Sequence, residues 1–357
     1  MKFLLHLKKM DWGLNICAVL LSIIGIVSLY SSGYSFEKQI VFLMIGLLLM
    51  LGMSFFDFRI LKDNSYLILI LYFLFILLLV GLFLFAPQIK GAARWYRFGF
   101  ISFDPLEFGK LVLIILLAKY FSSKHVEMYK LQHILVSGFY IFVPALLIFL
   151  QPDFGSVLIL IVLWSGILLV SGIKLKHFII LILIGLILFS LSWLYFLKDY
   201  QRSRIINFLS PEIDPLGAGW SQRQAKIAIG AGGFWGQGIK SGSQTQLGFL
   251  PEPHTDFIFA AIAEEFGFLG VFILFLFFII LIQRIIKIAL FYESNFIRLF
   301  SLGLAIVLIS QFIINIGMNL GLLPVVGLPL ILVSYGGSSL VFTFLGLGIL
   351  QSIKLHA

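Results

Sequence analysis

The sequence predicts an all-α, polytopic integral membrane protein with about ten transmembrane helices and a large extracellular loop between helices 7 and 8. Three observations carry that prediction. Of the 357 residues, 61% are hydrophobic and 11% charged, with a mean hydropathy of +1.10; an ordinary soluble domain is about half apolar and about a quarter charged. Apolar runs of about 20 residues, enough to cross a hydrocarbon core of ~30 Å, recur along the chain. One long, glycine-rich polar segment interrupts them. A water-soluble globule and a disordered chain are both excluded.

The runs cover residues 12-31, 39-57, 64-86, 106-121, 132-150, 154-171, 176-197, 256-282, 298-317 and 326-350. All are read as helices, because an open sheet cannot pair its backbone in lipid. The first has Lys8 and Lys9 ahead of it and Ser31, Ser32 and Gly33 behind, like a secretory signal. Its length and the nine further spans favour an uncleaved first helix. Residues 1-357 then form one transmembrane domain, with 198-255 as its large extracellular loop. That 58-residue connection holds nine glycines between Gly217 and Gly248, and a loop of such length is usually functional. Within it RSRIINFL and WSQRQAKIAI have amphipathic character, as expected of short helices on the membrane surface.

The formal charge of +9 follows topology. Ten spans put both termini on one side. With that side in the cytoplasm, 14 Lys and Arg lie there, from Lys2, Lys8 and Lys9 to Arg298 and Lys354. Only Lys38, Lys90, Arg94 and Arg97 occupy the opposite short loops. This bias orients the protein with its termini inside and removes the case for nucleic-acid binding. The single cysteine, Cys17, excludes a disulfide framework. His6, His125, His133, His177 and His356 are scattered near the cytoplasmic face, and no GxSxG or HExxH pattern supports a serine hydrolase or zinc protease.

The strongest local signal is LPEPHTDFIFAAIAEEFG, residues 250-267, which runs from the long loop into the eighth span. Pro251 and Pro253 force an extended approach, after which Thr255 or Asp256 caps the helix or Asp256 stands as a carboxylate at the membrane boundary. Glu252, His254 and Asp256 would share one face of an extended segment, which leaves a metal site open. Glu264 and Glu265 lie about 12 Å deeper, where ionisable groups are costly and either functional or paired with Lys110 or an arginine. SFDPLEFGKL opens the fourth span with Asp104 as cap, Pro105 at the first position and Glu107 at the third. Lys110, on the same face as Glu107, is either its ion-pair partner or part of an anion site. GAARWYRFGF brings Arg94, Trp95, Tyr96 and Arg97 to the external surface, as an aromatic belt or a grip on a lipid head group. In SYGGSS, Gly336 and Gly337 are expected to kink or interrupt the tenth helix. These features fit a transporter or an enzyme acting on a membrane-anchored substrate, with the long loop tipping the balance to the enzyme.

Three stretches, YQRSRIINFLSPEIDPLGAGW, QAKIAIGAGGFWGQGIKSGSQTQLGFLPEPHTDFIFAAIAEEFGFLG and NIGMNLGLLPVVGLPLILVSYGGSS, resemble the SEDS family (shape, elongation, division and sporulation). HTDFIFAAIAEEFG with NIGMNLGLLPVVGLP is closer to its RodA branch than to its FtsW branch. The resemblance implies a peptidoglycan glycosyltransferase in the bacterial cytoplasmic membrane, facing outward, that polymerises lipid II into lipid-linked glycan strands for elongation and rod shape. It implies a class B penicillin-binding protein and other elongation-complex membrane proteins as partners. It makes Asp256 the catalytic residue. Arg94, Trp95, Lys110, Arg202, Arg204, Gln224, His254 and Thr255 become substrate-binding, with Glu107, Glu264 and Glu265 as intramembrane support. No cofactor is required by the sequence; a divalent cation, Mg or Mn, fits a pyrophosphate leaving group. A lipid II flippase and a non-catalytic scaffold are the alternative readings. The sequence departs from the family pattern at Asp104, Leu106, Ala225, Ala231, Gln237 and Ile331, to which no role is assigned.

Overall fold

The computed structural model describes residues 2–85, 94–99, 101–124, 131–195, 202, 206, 208 and 218–357. Each of the ten expected spans corresponds to a helix of 17 residues or more: α2 (Trp12–Ser31), α3 (Phe36–Phe55), α5 (Ser65–Phe85), α6 (Pro105–Lys124), α7 (Leu131–Leu150), α8 (Phe154–Val170), α9 (Leu175–Tyr195), α12 (Ile258–Phe291), α13 (Asn295–Leu320) and α14 (Gly337–His356). Shorter elements complete the described chain: α1 (Lys2–Lys9), α4 (Arg59–Asp63), α10 (Ala218–Gly232), α11 (Ser243–Gln246), and an antiparallel hairpin of β1 (Tyr96–Phe98) and β2 (Ile101–Phe103). The protein is a multi-pass membrane protein. His6 of α1 stacks on Phe55 and lies 6.3 Å from His356, so both termini sit at one end of the bundle.

The helices divide by what surrounds them. α6 is apolar nearly all round and is buried on most sides among α5, α8, α13 and α14, as such a helix must be inside a bundle. α9 is equally apolar, yet none of its described hydrophobic residues is fully buried by protein and only Leu181 among them packs on the core, as suits a helix with its outer face in lipid. α3 and α14 pack closely through small residues; a Cβ on Gly348 would come within 2.9 Å of the Met50 backbone. Tyr96 in the hairpin donates to the Leu78 carbonyl at 2.7 Å, pinning the hairpin over α5.

Three expectations are corrected. The eighth span is longer than 256-282: α12 extends over 34 residues and is broken at Gly267, whose φ of 62° and ψ of −160° suit glycine alone. The break frees backbone groups, and the long loop pairs them. Gln237 N–H donates to Glu264 O at 2.9 Å, Gly238 N–H to Glu265 O at 3.0 Å, and Phe268 N–H to Gly233 O at 2.9 Å. The tenth span begins at Gly337 and not at residue 326; residues 322–336 are a non-helical segment, buried at Leu328 and over 330–334, so Gly336 and Gly337 start α14 and do not kink it. Hydropathy could not separate the two, because this segment is as apolar as a helix. Finally, α10 is helical as expected for WSQRQAKIAI, but it buries Ala225 and Ala228 against α12 and α13, with Gln222 donating to the carbonyls of Met318 and Leu323.

A Cβ at Gly267 would overlap the Gly236 amide and the Phe234 carbonyl. Gly267→Ala is therefore expected to lower stability by at least ~1–3 kcal/mol. Gly185→Ala, on lipid-facing α9 with open space around it, is expected to leave stability unchanged or slightly raised. Thermal unfolding of the two variants in detergent checks the contrast.

Candidate active site

The end of the bundle opposite the termini holds a cavity of about 310 Å³. Its wall comes from five parts of the chain. The hairpin and α6 contribute Arg94, Trp95, Asp104, Glu107 and Lys110; the start of α8 contributes Asp153 and Ser156. The loop before α12 contributes Glu252, Thr255 and Asp256, and the non-helical segment with the start of α14 contributes Gly327 to Pro329 and Tyr335 to Ser339. Gln311 of α13 completes the wall.

Asp256 does not cap α12. The cap position is Phe257, without a side-chain hydrogen bond, so the cap reading of Thr255 and Asp256 falls. What fixes Asp256 is its backbone. Asn315 and Asn319, one turn apart on α13, each donate to the Asp256 carbonyl at 3.0 Å. Asn315 also donates to Leu328 O at 2.8 Å, and Asn319 accepts from Ala260 N–H at 3.2 Å. Ser334 Oγ donates to Thr255 O at 2.6 Å, and Tyr335 N–H to His254 O at 2.9 Å. The loop bearing Asp256 is thus tied to the non-helical segment by α13 amides, which sequence spacing alone did not reveal.

The cations of the cavity are paired. Arg94 Nη2 lies 3.1 Å from Asp153 Oδ1, and Asp153 also caps α8 through Ser156 N–H. Lys110 Nζ lies 2.7 Å from Glu107 Oε2, with side chains only 5% and 8% exposed. The bland i, i+3 pairing of these two holds, and their place in the cavity wall holds with it. Gly327 sits between the chemistry of both sides: a Cβ there would lie 3.6 Å from Asp256 Oδ2 and 3.9 Å from Arg94 Nη1, and its φ of 72° favours glycine.

Asp104 accepts from Leu106 N–H at 2.9 Å as the helix start requires, but its own N–H goes to Ser338 Oγ at 3.0 Å. Glu107 therefore serves Lys110 and closes no capping box. Removal from water, then repulsion from Glu107, pushes the Asp104 carboxyl up to about 7.

Other expected site residues lie elsewhere. His254 stacks on Tyr34 at 3.8 Å and pairs with Glu252 at 3.3 Å, outside the cavity wall. Gln224 is buried on α10 away from it. Arg202 donates to Leu194 O at 3.2 Å, and Arg204 lies outside the described residues. Among the described residues, Glu264 and Glu265 pair with neither Lys110 nor an arginine. Glu264 accepts from Gln244 N–H at 2.7 Å, Thr245 N–H at 3.0 Å and Thr245 Oγ1 at 2.7 Å. Glu265 accepts from Ser31 Oγ, and Ser31 Oγ in turn accepts from Lys240 N–H. Both glutamates anchor the long loop. Among the described residues no three His, Cys, Asp or Glu side chains come together to hold a metal ion, so Glu252, His254 and Asp256 do not form the metal site left open above.

Comparison with known proteins agrees with this architecture. The FtsW/RodA/SpoVE family model, described as cell cycle protein, matches residues 5–357. Peptidoglycan glycosyltransferase MrdB of Escherichia coli (strain K12) is 41% identical over 286 residues, covering 80% of this chain and 77% of the relative. Peptidoglycan glycosyltransferase RodA of Treponema pallidum (strain Nichols) is 30% identical, covering 96% and 97%. A chain solved in a study of polymerization and crosslinking by a peptidoglycan synthase complex superposes with a TM-score of 0.84 at 32% identity, covering 97% of each chain.

The Asp104 proton gives a testable sign. The folded state keeps it to about pH 7, whereas the unfolded chain releases it near ~4. Its stabilising contribution is present below that lower value and lost as pH rises through about 7. Between about pH 5 and pH 8 the wild type is expected to lose more thermal stability than Asp104→Asn, read as the change in unfolding midpoint.

Proposed function

The chain belongs to the FtsW/RodA/SpoVE, or SEDS, family of membrane proteins, and from that premise we propose that it is a peptidoglycan glycosyltransferase that polymerises lipid II into glycan strands for cell elongation and rod shape. The observation that carries this reading is a carboxylate, Asp256, on a backbone-clamped loop in the wall of a cavity that also holds Arg94 and Lys110. The acceptor sugar hydroxyl attacks the anomeric carbon of the donor sugar and passes its proton to the Asp256 carboxylate. The bond from that carbon to the undecaprenyl pyrophosphate oxygen breaks, and the electron pair leaves on the pyrophosphate. With Asp256 as base and not as nucleophile, the displacement is single and inverts the anomeric carbon.

Arg94 and Lys110 offset charge growing on the leaving group, in positions preset by Asp153 and Glu107. The wall carries more carboxylates than cations, namely Asp104, Glu107, Asp153, Glu252 and Asp256 against Arg94 and Lys110. The residues present do not form a metal cage. The excess carboxylate suits Mg or Mn carried in on the pyrophosphate oxygens. Thr255 and Trp95 line the same wall and would contact substrate.

The lysine and arginine bias supports an orientation with the termini in the cytoplasm and the cavity on the outer face of the bacterial cytoplasmic membrane. Below Lys110 the lining turns apolar, with Leu111, Ile114, Leu304 and Leu308. An apolar lining there offers a charged head group no polar path toward the other face, which favours a polymerase over a flippase. The synthase complex of the solved relative supports a class B penicillin-binding protein as the crosslinking partner, alongside other elongation-complex proteins.

Polymerisation of lipid II by purified protein with its transpeptidase partner tests the reading. Asp256→Asn, at equal folded amounts, is expected to lose ~10²–10⁴-fold in rate. Equal polymer from both proteins would remove Asp256 as the base.

A further inference from the structure

Along α13, Gln311, Asn315 and Asn319 stand one turn apart on a single face, a ladder of three carboxamides. The outer two are consumed by structure, holding the Asp256 and Leu328 carbonyls and the Ala260 amide. Gln311 differs. It is 1% exposed and lines the cavity, yet its carboxamide oxygen has no hydrogen-bond partner among the described residues. A buried acceptor left unmatched is unfavourable, and in a ligand cavity it marks the place where a ligand supplies the donor.

We propose that Gln311 is a specificity-determining residue whose carboxamide oxygen accepts a hydrogen bond from the 2-acetamido N–H of the bound amino sugar. This rests on the polymerase reading above and identifies what the deep wall of its cavity recognises. The chemistry of the wall selects this donor. Sugar hydroxyls rotate, and the carboxylates around the cavity can serve them. An amide N–H points one way and needs an acceptor held in a fixed place, which the buried Gln311 side chain supplies. Its acetyl methyl needs an apolar surface, which Leu106 and Ile159 provide in the same wall.

The test is binding of a short-chain, lipid-linked disaccharide carrying either 2-acetamido groups or 2-acetoxy groups, which keep the shape and lose the N–H. Wild-type protein is expected to bind the acetamido form about tenfold more tightly. In Gln311→Met that preference should fall to near unity, with the unfolding midpoint showing that the variant is folded. Gln311→Glu, which retains an acceptor oxygen and the shape, should keep the preference. Equal binding of the two probes by wild type overturns the proposal, and so does an unchanged preference in folded Gln311→Met. Binding requires no turnover, so failure here is distinct from failure of the polymerase reading, which appears as absence of polymer from the wild type.

Discussion

The constraint on which this structure rests is that backbone amides and carbonyls removed from water must find partners inside the protein. Unbroken helices satisfy it by themselves. Among the described residues, two departures from that regularity shape the site, at Gly267 within α12 and over residues 322–336 ahead of α14. Each break is repaired by a different device. At Gly267 the glycine-rich loop lends its own backbone to the freed groups. Ahead of α14, Asn315 takes the Leu328 carbonyl, while Ser334 and Tyr335 reach across to the loop before α12. The repair of the second break builds the cavity, because the same asparagines hold the Asp256 backbone.

Electrostatics sets the second limit. Burying Glu107 and Lys110 is tolerable only because they meet at 2.7 Å; losing either partner would strand a charge at a cost of ~3–5 kcal/mol. The Arg94–Asp153 pair is more open and ties the hairpin to the start of α8. Such pairs fix geometry at the expense of field strength, since each cation reaches substrate already partly neutralised. On the proposed reading, an anionic pyrophosphate would meet countercharge held in preset positions and not a pool of free cations.

Much of this was legible in the sequence. Hydropathy located all ten spans, because about 20 apolar residues is a strong signal. The residues Asp256, Thr255, Arg94, Trp95, Glu107 and Lys110 were identifiable as charged or aromatic groups at the membrane boundary, and the structure brings them to one cavity. The misses have physical reasons. The apolar segment 326–336 reads as helix because burial among other helices demands the same composition as lipid contact. Glu264 and Glu265 read as functional or as paired with a cation, because their partners, residues 243–245 for Glu264 and Ser31 for Glu265, are close only in space. Gln311 was passed over because a single polar residue gains meaning only from what faces it.

The central claim is that chemistry occurs in the cavity between Asp256 and the Arg94 and Lys110 pairs. A structure of the Asp256→Asn protein bound to a lipid-linked disaccharide tests it most directly. The account predicts the sugars inside the cavity, an acceptor hydroxyl within hydrogen-bond distance of residue 256, and the pyrophosphate on the side of Arg94 and Lys110. A disaccharide held elsewhere on the bundle, with residue 256 distant from any sugar hydroxyl, would contradict it.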